Sequence, residues 1–279
     1  VDFVEHGWSV KRLHRQIMLS TAYRQTSRRP ALMAMNGVAA GDDKPGETAP
    51  ARPKPSQSSS GERLDPDNRL LWRMNLRRLE AEAARDAVLA AAGTLDTTAG
   101  GPPIEITNPP DGLSEAKPAP SPASVNRRSV YLFARRVYPL KFLEIFDAPI
   151  MSVNCTQRMQ SATVLQSLAV LNSEFMFVQA EQMAKRVSEI AGADATARIR
   201  TAYLFALSRA PTDVELTKTA VFLGEQTRAY ELPPLPRPPD RTPGMPEKRP
   251  EKSQEEAARL ALADLCQMLL SSNEFLYVE

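Results

Sequence analysis

The stretch NRLLWRMNLRRLEAEAARDAVLAAAG, residues 68–93, decides how the chain is read. Good helix formers fill it, Asp67 or Asn68 stands where a cap is needed, and Gly93 stands where a helix stops. Leu71, Trp72, Leu76, Leu79, Ala83 and Val88 supply an apolar stripe. The stretch therefore predicts one long amphipathic helix and, with it, a mainly α fold.

The same pattern extends outward. In residues 9–25, Val10, Leu13 and Ile17 follow i, i+3, i+7 spacing behind Ser9 as N-cap. A helix is expected from about residue 162 to 190, and another over 196–209. Thr212 and Glu215 have the spacing of a capping box and open a helix to about Tyr230, and a last helix covers roughly 254–270. Two short segments, PIEI (103–106) and SVYLF (129–133), are rich in β-branched or aromatic residues and predict one small β-hairpin. The expected fold is mainly α, an irregular single helical domain over residues 1–279.

Proline divides it. Of 24 prolines, 20 fall within residues 45–66, 102–122 and 233–250. Proline lacks a backbone donor and fixes φ, so loops or linkers are expected at about 30–66, 100–125 and 231–253. PPLPRPP (233–239) reads as a spacer or as a proline-rich ligand for a partner domain.

Composition bounds the function. A 42% hydrophobic and 24% charged chain of 279 residues has the balance of a globular protein. A net charge of +2 argues against a nucleic-acid partner, which calls for a large positive surplus. No apolar run is long enough for a transmembrane segment. The chain opens at Val1 without a leader pattern, and it is read as the C-terminal part of a longer protein. His6 and His14 have no third ligand at a metal spacing, so no metal site is expected, and C-x-x-C-H, Gly-rich phosphate loops and G-x-S-x-G are all missing. Cys155 and Cys266 are two separate thiols or one disulfide, and the spacing leaves both readings open.

Two clusters carry charge that chemistry can use. On the 68–93 helix, Arg78–Glu82 and Glu82–Arg85 fall at i, i+4 and i, i+3. Together with Asp86 they form either a solvated ion-pair face or a site for carboxylate or phosphate. In residues 126–149, Arg127, Arg128, Arg135 and Arg136 flank an apolar run with Tyr131, Phe133 and Tyr138 close by. Asp147 ahead of Ala148-Pro149 reads as a turn former, with no second carboxylate to make an acid/base pair. The candidate set for an anion or partner is Arg78, Arg85, Asp86, Arg128, Arg135, Asp147 and Arg158; no catalytic residue is assigned.

One echo crosses the chain. NSEFMFV (172–178) and SNEFLYV (272–278) lie one hundred positions apart, each behind an apolar helical run. Small polar residues break the helix, and an aromatic residue then returns to the core. Burying Phe175 or Phe275 is worth ~1.5–3 kcal/mol, enough for a packing device without a ligand.

Five blocks, at residues 3–27, 65–90, 126–149, 171–180 and 262–279, resemble in order the C-terminal planctomycete cytochrome-associated domain, domain of unknown function 1553. Positions that recur in that family match here Trp8, His14, Arg24, Asn68, Arg69, Trp72, Arg73, Arg78, Arg85, Asp86, Arg128, Asp147, Cys155, Arg158, Asn273, Glu274 and Phe275. Two departures are a longer insert at 30–64 and Val164 in place of a usual proline. The resemblance implies a domain of unknown function serving as a structural or interaction module of an exported protein, periplasmic or in the cell envelope. It also implies haem c on an upstream domain of the same polypeptide, no cofactor in this chain, and a protein or polysaccharide partner. The alternative is an enzyme or binding module for an extracellular polysaccharide or other anionic substrate, with Arg78, Arg128, Arg135 and Asp147 converging in a cleft.

Overall fold

In a computed structural model, the structure describes residues 1–25, 27, 61, 64–107, 115–116, 125–134, 139–149, 155–156, 158–232 and 253–278. Its elements run in the order α1 (Asp2–Glu5), α2 (Val10–Leu19), β1 (Arg77–Arg78), α3 (Ala81–Ala92), β2 (Ile106–Thr107), β3 (Glu115–Ala116), α4 (Lys141–Ile145), α5 (Val164–Asn172), α6 (Glu174–Ala191), α7 (Ala195–Leu207), α8 (Asp213–Glu231), α9 (Gln254–Leu270), α10 (Asn273–Leu276) and β4 (Tyr277–Val278). The fold is mainly α. Among the described residues, no helix is long and apolar enough to cross a membrane. Arg135, the PPLPRPP stretch and most of the three proline-rich runs lie outside the described residues.

Two compact units divide the chain: Val1–Arg78 with Tyr277–Glu279, and Leu79–Leu276. In the first, α2 forms as its spacing predicts. Ser9 is the N-cap, its Oγ accepting from Arg12 N at 3.3 Å, and the helix ends at Leu19. No residue of α2 is buried. Arg77 and Arg78 pair antiparallel with Val278 and Tyr277, a two-stranded ribbon between the middle and the end of the chain.

The expected helix over 68–93 starts at Ala81, twelve or thirteen residues late. Side-chain bonds to the backbone compete with it. Asp65 accepts from the amides of Arg69 and Leu70 at 2.8 and 2.6 Å, and its carbonyl accepts from Trp72 Nε1 at 2.8 Å. Asn68 accepts from Arg73 N and donates to Arg73 O and to Asn75 Oδ1. Asn68 and Leu71 sit at φ 56 and 55, in the left-handed region that no helix interior tolerates. Leu71 and Leu76, expected in the stripe, are exposed.

In the second unit, α6, α7, α8 and α9 pack with α3 around a core of Val88, Leu89, Met176, Met183, Ile199 and Leu265, each almost fully buried. α3 ends at Gly93, whose φ of 77 is the left-handed cap expected of glycine. Thr212 and Glu215 form the predicted capping box of α8, and α9 covers the predicted 254–270. The expected helix over 162–190 is two helices. Ser173 ends α5 and caps α6, its Oγ accepting from Met176 N at 3.3 Å. The expected hairpin is also corrected. Ile104 meets Leu132 in a single parallel bridge, Ser129–Tyr131 is a 3-10 turn, and the antiparallel pair is instead β2 with β3.

The echo is built as two caps with different fates. Ser272 Oγ accepts from Phe275 N at 3.2 Å, and Phe275 is buried. Phe175 follows the equivalent cap at Ser173 but is only half-buried, leaving its ring edge-on to Phe142 at 5.4 Å. The helices preceding the two copies touch. Gln267 Nε2 donates to Leu171 O at 2.7 Å and Ser271 Oγ donates to Val170 O at 3.3 Å, so α9 side chains satisfy the last carbonyls of α5.

Candidate functional site

α3 positions the first candidates. Arg85 and Asp86 follow one another in its second turn, and Arg85 is 3% exposed in spite of its charge. Its guanidinium reaches across to residues 125–129. Nη1 donates to Arg127 O at 3.0 Å and to Ser129 Oγ at 3.2 Å, and Nη2 donates to Val125 O at 2.9 Å. Asp86 Oδ1 accepts from both the amide and the hydroxyl of Ser129, each at 2.7 Å, and stands 3.7 Å from Arg85 Nη1. Burial holds the Arg85 pKa below its ordinary value, with Asp86 acting against that. The arrangement stitches a surface loop to a helix through buried polar bonds.

Arg127 repeats the device in the next loop. Nη1 donates to Pro102 O at 2.9 Å, Nη2 donates to Thr98 O and Gly100 O, and the guanidinium lies 3.9 Å from the Tyr131 ring centroid. In the sequence Arg127 stands out only as part of a basic flank. Arg186 was not singled out at all, yet it donates to the carbonyls of Ala90 and Ala91 and so caps the end of α3. A cation opposite the last turn of a helix is favourable on dipole grounds, a signal that only the fold makes visible.

The other predicted residues separate. Arg158 grips Glu82 with two bonds, at 2.6 and 3.2 Å, and reaches Glu80 at 3.1 Å; the bond to Glu82 holds the Arg158 pKa above its ordinary value. Glu82 thus pairs across the fold, not with Arg78 or Arg85 as helix spacing suggested. Asp147, at φ 62, accepts from Ser161 N at 2.7 Å and Ser161 Oγ at 2.8 Å, and from Gln166 Nε2 at 3.4 Å. It fixes a turn, as its place before Ala148-Pro149 predicts. Arg78 is buried in β1 of the first unit, and Arg128 is exposed. Of the six candidates among the described residues, Arg85 and Asp86 stand together.

A second arginine cluster went unrecognised as such. Arg209 binds Glu274 through Nε (2.5 Å) and Nη2 (2.7 Å), and Glu215 through Nη1 (2.9 Å) and Nη2 (2.7 Å). The sequence marks Glu215 as part of a cap and Glu274 as part of the echo, and nothing in one dimension joins them.

A concave feature lies beside Arg85. A cavity of about 740 Å³ opens between α4, α5 and the first turn of α6, with mostly apolar walls. Arg85, Asn126, Lys141, Asn172, Ser173, Glu174 and Gln179 are its polar lining. Glu174 and Phe175 belong to the first copy of the echo, so the two copies divide the labour: one lines a cavity, the other anchors the end of α9.

The cysteines are separate thiols. Cys266 is fully buried in α9, where burial pushes its pKa up, and Cys155 is exposed. Alkylation with iodoacetamide is expected to modify Cys155 in the native protein, and both only after denaturation. Mass spectrometry reads the two counts, and native modification of Cys266 would contradict the packing of α9.

A family model described as PSD1, protein of unknown function (DUF1553), matches residues 1–40 and 52–223. No curated protein and no solved structure matches the chain.

Proposed function

We propose that this chain, which belongs to the PSD1 family of proteins of unknown function (DUF1553), is a structural and interaction module of an exported, haem c-linked multidomain protein. The partner is the haem-carrying upstream region of the same polypeptide, placed in the periplasm or cell envelope. The link to planctomycete cytochrome-containing proteins rests on the blocks quoted above. Haem belongs to that partner. This chain offers two widely separated cysteines, one of them buried, and no C-x-x-C-H.

One observation carries the reading: arginines turn to partners within the fold while apolar side chains turn outward. Arg85, Arg127 and Arg186 are taken up by backbone carbonyls, and Arg158 and Arg209 by carboxylates. On α2, Val10, Ile17 and Leu19 are exposed, at 54, 47 and 60%. That is the surface of a helix that meets a partner. The alternative is an enzyme or binding module for an extracellular polysaccharide or other anionic substrate; of its candidate residues, Asp147 and Arg158 have partners within the fold.

Hydrogen exchange over residues 10–19, compared between the complete polypeptide and this chain alone, tests the reading alongside the visible spectrum of the complete polypeptide. Expected are c-type haem bands and at least tenfold slower exchange in the complete polypeptide. Equal exchange rates and no haem would overturn it.

A further inference from the structure

The cavity beside Arg85 combines features that ordinary packing does not call for. Leu165, Leu168, Ala169 and Asn172 fall at i, i+3, i+4 and i+7 and present one face of α5 to it. Both leucines are exposed, Leu165 at 65% and Leu168 at 45%. Opposite them, Leu140 is buried and Phe142 stacks on Phe146, so the far wall is firm. A volume of about 740 Å³ lies inside the ~300–1,000 Å³ range of small-molecule sites, which pair apolar walls with a few polar groups.

The polar group that matters is Arg85. A guanidinium carries five N–H donors. Three are used on Val125 O, Arg127 O and Ser129 Oγ, leaving two without an acceptor among the described residues. Unlike Nε of Arg73 and Arg127, Nε of Arg85 is not sealed away unpaired. Its nearest carboxylate, Asp86, is 3.7 Å away and already accepts two bonds from Ser129. Of the other charges on the lining, Lys141 pairs with Glu144 at 3.2 Å, and Glu174 is exposed at the rim. The first turn of α6 also borders the cavity, and a helix N-terminus favours an anion.

We propose that this cavity binds an amphiphile bearing one carboxylate, with its apolar body along Phe142, Leu165, Leu168 and Phe175 and its carboxylate on the uncommitted N–H edge of Arg85. Apolar walls exclude a free inorganic anion as the preferred guest, and a buried cation disfavours a neutral or cationic hydrophobe. Charge complementarity inside an apolar groove thus selects the class of ligand.

Calorimetric titration of the 279-residue chain with decanoate, and with decan-1-ol as the uncharged control, tests the proposal. Decanoate is expected to bind one to one and at least tenfold tighter than decan-1-ol. Arg85 also holds the 125–129 loop, so its replacement risks unfolding. Leu168→Glu is the companion variant, since the side chain is exposed and a carboxylate there repels the ligand. With circular dichroism unchanged, it is expected to weaken decanoate at least tenfold. Equal affinities for decanoate and decan-1-ol, an unaltered affinity in Leu168→Glu, or no saturable binding would each overturn the proposal. The titration does not involve α2 or a haem-bearing partner, so it and the module reading above fail independently.

Discussion

Arg85→Met is expected to destabilise the folded chain by about 3–5 kcal/mol, the range for removing one partner from a buried charged network. Methionine fills much of the same space, so lost packing is a minor part of the cost. What remains behind is the larger part. Val125 O and Arg127 O lose their donor, and Asp86 keeps its charge with its nearest cation gone. Urea denaturation reads the effect as a lower midpoint at unchanged slope. Arg128→Met, one loop position from Arg127 but exposed, is the matched control and is expected to stay within about 0.5 kcal/mol of the parent.

Acid is expected to weaken the fold at the Arg209 cluster. Glu215 is held down to about 2, first by the bonds from Arg209 and further by those from Thr212, against an ordinary value of 4.5. A carboxylate whose folded pKa is depressed contributes stability that is fully present above its unfolded pKa. That contribution is lost as pH falls from about 4.5 through about 2. The side chains involved are 27–32% exposed, so solvent screening reduces the linkage to the order of 2–3 kcal/mol. Glu215→Gln is expected to lower stability by that amount at pH 7 and to flatten the curve between pH 4.5 and 2. Urea midpoints at pH 7, 4 and 3 check both. A variant as acid-sensitive as the parent would place the acid-labile group elsewhere.

The parts of the fold that were legible in the sequence are those decided locally. Ser9 before Val10, the Thr212–Glu215 box and Gly93 act within one turn of themselves, and each does in the structure what its type and spacing predict. The start of α3 was not legible because Asp65 and Asn68 compete for backbone groups that helix propensity alone awards to a helix. Pairing of Arg77 and Arg78 with Tyr277 and Val278 joins positions two hundred residues apart, and no local pattern marks it.

The candidate site was legible as chemistry more than as geometry. Arg85 and Asp86 stood out by type, and the structure keeps them together. Glu82 was assigned to helix neighbours and belongs to Arg158, because a bidentate grip across the fold outweighs an exposed i, i+3 or i, i+4 pair. The cavity left a faint trace in the echo. Phe175 follows the same kind of cap as Phe275, yet its ring meets Phe142 at the cavity wall instead of a closed core.

The arginines of this chain fasten its loops to its helices, with Arg85 and Ser129 as the principal joint. A double-mutant cycle of Arg85→Met and Ser129→Ala, read by urea denaturation, tests it most directly. A coupling of at least about 1 kcal/mol is expected; additivity within about 0.3–0.5 kcal/mol would show two independent residues and no joint.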